Sequence, residues 1–364
     1  MFSNRFIDFA RKYILLTNDK AFIEYSKTLG AILETRLSQS LCDREEKIVE
    51  TVARIINDIN REPKMEVALN NAIRISTRGI FIHGGTIQVE FEYFNTPRVR
   101  ELGDLIFVLT VNFRRRKYLE KFTITQFKKG QVDKYGANRL SLESAGKEQM
   151  YLLSRFPRFK VTRGILNKNE YLLQNYSDYL GSIGVFFKPG DMLIINAKTL
   201  EGILGGRSSI TQRQLTASMT ASKFIARPCG CRIPFCFDEV GEALWKRGPL
   251  LLFCCLCQCI TRSDCFAENA YEFARKFLSG FIGEPTFVFG SKFNTSALGF
   301  LNDLLKAANQ MVQKSPRYQH QYRILMANTQ SGSGYIAGHR NFSNHDEQGF
   351  GIIQTTINID EVED

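Results

Sequence analysis

Glu101-Leu102-Gly103-Asp104 leads into residues 105–111 (LIFVLTV). A polar stretch, 112–118 (NFRRRKY), separates that run from Phe122-Thr123-Ile124-Thr125-Gln126-Phe127-Lys128. The first run is continuous, apolar and rich in β-branched residues, the pattern of a strand covered on both faces. The second alternates as a half-buried strand does. Two such runs joined by a polar connection read as a β-hairpin. Gln126 and Lys128 lie two apart and therefore project from one face. With the turn centred near Arg116, Asp104 falls opposite Lys128 and Gln126 lies on the adjacent diagonal. An acid, an amide and a lysine are thus expected together at one end of two buried strands.

That constellation resembles the reaction centre of a nuclease superfamily, which implies phosphodiester chemistry. Cutting the bond needs a divalent cation that activates water and neutralises charge growing on the phosphate. Mg²⁺ takes hard oxygen ligands and keeps several waters. Asp104 is the expected principal ligand, with the side-chain oxygen of Gln126 and the main-chain carbonyl of Phe127 completing the protein's share. Lys128 is placed to orient the attacking water or to stabilise the phosphate in the transition state. Glu101 is a second acid close by. The ordinary alternative is a turn aspartate beside a partly exposed ion pair.

An acid at the head of one strand and (Asp/Glu)-x-Lys on the next resembles the core of the PD-(D/E)xK nuclease superfamily, the restriction-endonuclease-like fold. Gln126-Phe127-Lys128 is similar to its QxK variant, found among Mrr-like and other defence-associated nucleases. Residues 80–160 carry the likeness, and GKEQMYLLSRFPRF after the Lys128 strand also looks like the element that follows QxK strands. Two departures stand out: no proline precedes Asp104, and Gln126 replaces an anionic ligand by a neutral one. The resemblance implies an α/β fold, a restriction-endonuclease-like mixed sheet flanked by helices. It also implies a DNA endonuclease using Mg²⁺ or Mn²⁺, acting on DNA rather than RNA, self-associating because each duplex strand needs a site. An effector role in prokaryotic anti-phage defence, with a partner protein from the same operon, belongs to the same expectation. The rivals are a catalytically degenerate nucleic-acid-binding or scaffold protein of the same fold, and an interaction adaptor.

Composition agrees with a polyanion partner: 48 basic against 37 acidic residues leave a net charge of +11, which favours nucleic acid. The local clusters are Arg114-Arg115-Arg116-Lys117 at the hairpin tip, Lys128-Lys129, and residues 155–160; lining a phosphate track, they would make affinity fall steeply with salt. No segment reaches the roughly 20 apolar residues of a membrane span. The beginning, MFSNRFIDFARKY, scatters charge and lacks the apolar core of a secretion signal. A soluble, cytoplasmic protein is expected, with its nine cysteines reduced. Eight of them fall between Cys229 and Cys265 without paired C-x-x-C knuckles, so no structural zinc is expected.

Three stretches follow from the patterning: a helical region at 1–78, a nuclease-like core at 79–200 and a mixed α/β region at 201–364. Phe6, Phe9, Tyr13 and Ile14 recur at helical spacing, as do Ile48, Val52, Ile55 and Ile59, and 65–75 reads as a short helix. Residues 86–93 alternate as a strand, while 147–156, 271–281 and 297–312 read as amphipathic helices, and 249–260 as a buried helix. Gly190-Asp191 with Lys198 mimics the site, but its acid and lysine flank one strand. Gly205-Gly206-Arg207-Ser208-Ser209 is a glycine-rich turn without the Gly-Lys-Ser/Thr of a nucleotide loop. The four histidines have no ligand spacing.

Overall fold

The computed structural model describes residues 20–40, 73–83, 87–166, 169–187, 192–225, 266–314 and 349–359, with positions 8, 9, 12, 13, 16, 17 and 19. The cysteine-rich stretch, the expected helices at 48–59 and 249–260, and the acidic tail lie outside them.

A large mixed sheet is the frame. Its strands are β1 (Ile73–His83), β4 (Leu105–Phe113), β5 (Arg116–Lys129), β10 (Gly181–Phe186), β11 (Met192–Asn196), β13 (Phe266–Ala267), β14 (Glu284–Val288), β15 (Ser291–Lys292) and β16 (Gly349–Ile359). The order runs β1-β16-β4-β5-β10-β11-β13, with β14 beside the first half of β5 and β15 paired to β14. β16 is parallel to β4 and β10 is parallel to β5; the remaining pairs are antiparallel. All three stretches read from the sequence contribute strands: β16, from the last, lies between β1 and β4.

Helices cover both faces, which is why β4, β10 and β11 are almost wholly apolar and buried. On one face Phe107, Phe127, Phe186 and Ile353 pack against α1 (Lys20–Ser40), α5 (Ala270–Leu278) and the helical positions Phe9, Tyr13 and Leu16. On the other, Ile106, Val108, Ile124 and Val185 meet α2 (Ser144–Arg155), α3 (Ala197–Leu204), α4 (Gln212–Ile225) and α6 (Thr295–Lys314). α1 is started by Asp19, whose Oδ1 accepts the Phe22 N–H at 3.4 Å. A four-stranded sheet of β2 (Gln88–Tyr93), β3 (Thr96–Glu101), β8 (Phe159–Arg163) and β9 (Glu170–Tyr171) lies over α2. A three-stranded one is built from β6 (Gln131–Val132), β7 (Asn138–Ser141) and β12 (Ser209–Thr211).

The structure corrects three sequence readings. The polar stretch 112–118 is mostly strand, and the β4–β5 connection is only Arg114-Arg115, both at positive φ (49° and 60°), as the two-residue hairpin turn that matches strand twist requires. Tyr118 is an extra residue at a bulge, after which Leu105 faces Thr125. The register therefore moves by two positions and sets Asp104 opposite Gln126 rather than Lys128; a shift of two leaves every side chain on its expected face. Residues 122–125 are buried throughout, since β5 is central and covered on both sides. Thr123 and Thr125 are satisfied by Ser182 Oγ, at 3.1 and 2.7 Å. Finally, residues 73–75 open β1 instead of ending a helix, because Ile73, Ile75 and Thr77 carry a period of two.

Gly181 shows how closely α2 is seated on the sheet: a Cβ there would stand 2.1 Å from the Leu153 carbonyl oxygen, which cannot move away without breaking the helix. Gly181→Ala should cost about 3 kcal/mol or more of unfolding free energy, the upper range of overpacking effects. Gly202→Ala, on α3 with nothing within 4 Å of the new carbon, should instead stabilise by roughly 0.5–1 kcal/mol. Urea unfolding of both variants checks the pair.

Candidate functional site

Asp104 stands just before β4 and ties three strands together. Its N–H donates to the Thr125 carbonyl at 2.9 Å, and its own carbonyl accepts the Gly351 N–H at 2.8 Å. Its Oδ2 accepts the Phe127 N–H at 2.7 Å. The carboxylate thus takes a β5 amide that no β4 carbonyl reaches. Gly103 makes the approach possible, since a Cβ there would lie 2.7 Å from the Ile124 side chain.

Gln126 is buried on the face that carries Ile124, and Lys128 follows two residues on, half-buried and in register with Val185 of β10. Asp104, with the parity of Ile106, belongs to that same face. Phe127 points the other way and stacks on Phe186, with centroids 5.1 Å apart. By strand parity Asp104, Gln126 and Lys128, three of the four expected side chains, fall on one face, and the Phe127 N–H on Asp104 Oδ2 ties their segments together. The fourth, Glu101, ends β3; alternation puts it with Val99 on the face opposite Arg98 and Arg100, and its contribution to the site is a main-chain carbonyl.

The sequence reading did not single out Gln149 and Glu148 of α2. Gln149 Nε2 donates to Gln126 Oε1 and, at 3.0 Å, to the Glu101 carbonyl. Glu148 is buried beside two guanidinium groups, with Arg98 Nε at 2.9 Å and Arg100 also in contact. The available signal was two adjacent polar residues on a helix whose following positions, Met150, Leu152 and Leu153, face the core.

Arg114-Arg115-Arg116-Lys117 occupies the other end of the hairpin, about 27 Å away along the nine residues of β4. Arg114 lies over the Phe113 ring and 3.5 Å from Asp8; Lys117 pairs with Glu120 at 2.6 Å. Lys129 ends β5 and is exposed.

No protein-family description, curated protein or solved structure matches the chain. The donor set must speak for itself. Among the described residues no three His, Cys, Asp or Glu side chains cluster as a metal would require. At the hairpin base a cation would meet one carboxylate, Asp104, and the neutral oxygens of Gln126 and Phe127. One Asp104 oxygen receives the Phe127 N–H and Gln126 Oε1 receives Gln149 Nε2; carboxylate and carboxamide oxygens each carry more lone pairs than one such bond uses. Such a set fits Mg²⁺ or Mn²⁺ completed by water and a substrate phosphate, which commonly needs only one or two protein carboxylates.

Gln149→Ala removes the donor to two acceptors at once, one of them on a buried side chain. The variant should lose about 1–3 kcal/mol, the desolvation cost of an acceptor left without its partner. Gln149→Glu should lose at least as much, because it sets carboxylate oxygens against the carbonyl oxygens of Gln126 and Glu101. Urea midpoints of the two variants against the unaltered chain test this.

Proposed function

We propose that this chain is a metal-dependent nuclease acting on phosphodiester bonds in DNA, with Asp104, Gln126 and Lys128 as its reaction centre. The observation that carries the reading is their arrangement: an acid, an amide and a lysine share one face where β5 runs out beside its parallel neighbour β10. The carboxyl ends of parallel strands are where open α/β sheets hold ligands, because the crossover helix leaves a crevice there. Here the segment between the two strands includes α2, whose Gln149 reaches the same spot.

On this reading Asp104 and the Gln126 oxygen hold the cation, which when bound supplies an activated water and neutralises phosphate charge. Asp104 is kept in place by the Phe127 N–H, so its orientation does not depend on the metal. Lys128 supplies a cation for the phosphate oxygens, where charge grows as the bond breaks. Glu101 holds α2 at the correct height through its carbonyl. Cutting both strands with one such centre per chain requires two copies, so self-association accompanies the proposal.

Supercoiled plasmid incubated with Mg²⁺ or Mn²⁺ tests it. The unaltered chain should nick or linearise the plasmid. Asp104→Asn keeps an acceptor for the Phe127 N–H while removing the charge, and Lys128→Met keeps the aliphatic stem. Each should lower the rate on the order of a hundredfold or more, as loss of a preorganised charge does. Cutting at an unchanged rate by both variants would put the chemistry elsewhere.

A second reading is favoured by one observation, the commitment of Gln126 to Gln149 beside a single carboxylate. It makes the chain a nucleic-acid-binding or scaffold protein with a degenerate site. Salt-sensitive DNA binding with no cleavage in either cation would select it.

A further inference from the structure

The three-stranded sheet β6-β7-β12 is inserted between the two elements that build the proposed centre. It leaves β5 two residues after Lys128 and returns through Leu142 to α2, five residues before Gln149. The chain from Lys128 to Tyr135 spans seven residues, so the tip lies at most about 24 Å from that lysine. β12, distant in sequence, joins β7 through Ser209↔Ser141 and Thr211↔Arg139, and Asn138 donates to Gln212 at 2.9 Å.

Folding this way concentrates charge. Residues 128–147 hold five lysines and arginines against two acids, and 207–213 bring two arginines and no acid. One of the two acids, Asp133, is occupied by its own turn. It accepts the N–H groups of Tyr135 and Ala137, both at 2.9 Å, and Arg139 lies 3.3 Å away. At the tip, Tyr135 is 80% exposed, with the Lys134 ammonium 4.9 Å from its ring centroid. An exposed aromatic ring beside a lysine, on a sheet rich in basic residues, is the combination that stacks an unpaired base and tracks its phosphates.

We infer that the β6-β7-β12 sheet is a docking arm for single-stranded nucleic acid. It binds backbone phosphates through Lys134 and Arg213, stacks one base on Tyr135, and leads the strand toward Lys128. The inference rests on the nucleic-acid part of the function proposed above, but not on cleavage.

Fluorescence anisotropy in EDTA, with the full chain and labelled oligothymidylate or a blunt duplex of equal length, separates the two. Between 50 and 300 mM NaCl (roughly the range over which phosphate contacts are lost), the unaltered chain should bind the single strand more tightly. Its affinity should fall linearly on a log–log plot. Lys134→Ala with Arg213→Ala should make that slope shallower by about 1.4, two contacts at roughly 0.7 each. Tyr135→Ala should weaken single-strand binding about tenfold and duplex binding hardly at all, as loss of one stacked base does. All three side chains are exposed, so a preserved thermal transition certifies the fold. An unchanged slope in the double variant overturns the arm, as does a slope lost only in Arg115→Ala with Arg116→Ala at the distant tip. Tighter capture by phosphatidylserine vesicles than by either nucleic acid overturns it too. No binding to either oligonucleotide sinks the arm and the nucleic-acid reading together. An arm-dependent slope without plasmid cleavage in Mn²⁺ upholds the arm and removes only the nuclease.

Discussion

The carboxylate of Asp104 takes the place of a strand carbonyl. β4 pairs with β5 only from Leu105, opposite Thr125, so the Phe127 amide lies beyond the paired residues, and Asp104 Oδ2 receives it at 2.7 Å. A hydrogen bond to a charged group contributes about 1.5–3 kcal/mol, and more is at stake where the orphaned amide would be buried. This one contact fixes where β4 starts, and thereby where β16 begins to pair with it, since Gly351 donates to the same residue's carbonyl. It also fixes an acid against the end of β5 before any ligand arrives. On the proposed reading, structure and chemistry share a side chain. Replacing it by alanine would mix the two losses, whereas asparagine keeps the ladder and removes only the charge.

The second constraint is α2. Met150, Leu152 and Leu153 bind it to the sheet by apolar burial, and Gly181 lets the Leu153 carbonyl come close. Two buried polar residues on the same helix would be costly alone. Glu148 is offset by Arg98 and Arg100 of β3, and Gln149 by Gln126 and Glu101. Breaking one partner of such a group costs more than making the pair gains, so the helix has little freedom to slide or rotate. Rigid support of that kind is what a reaction centre requires, and it comes from residues that carry no motif.

How much of this was legible follows from the range of each interaction. The apolar runs of β4 and β11, the alternation of β2 and the helices α2, α5 and α6 are local patterns, and reading them requires only a period. The shared face of Gln126 and Lys128 follows from alternation along one strand, and a two-residue slip leaves the parity of Asp104 across from them unchanged. Register was not legible. Arg114-Arg115 adopts a turn usually marked by Asn-Gly or Asp-Gly, so a basic pair gave no sign of it, and the bulge at Tyr118 left none either. The stretch 112–118 reads as polar because residues 114–117 form and flank the hairpin turn outside the core, while Phe113 and Tyr118 on either side stay buried in it. β16 between β1 and β4 joins segments more than 230 residues apart, and no local pattern encodes such a pairing. Gln149 was hidden for the same reason: its partner lies on another element.

The electrostatics of the two basic clusters differ in kind. At the β4–β5 tip, Arg114 and Lys117 are engaged by Asp8, Glu120 and neighbouring rings. Around β6 and β7 the basic residues outnumber the acids and follow Lys128 of the proposed centre closely in the chain. If the proposed centre holds its cation with one carboxylate, protein charge alone binds the metal weakly, and a phosphate arriving from the arm supplies the missing anionic ligand. Metal and strand then strengthen each other's binding by the same factor, since the coupling free energy is reciprocal. A glutamine in place of a second acid thus reads as a way of making cation binding depend on substrate, and the basic arm as the part that raises the local concentration of phosphate enough for that coupling to operate.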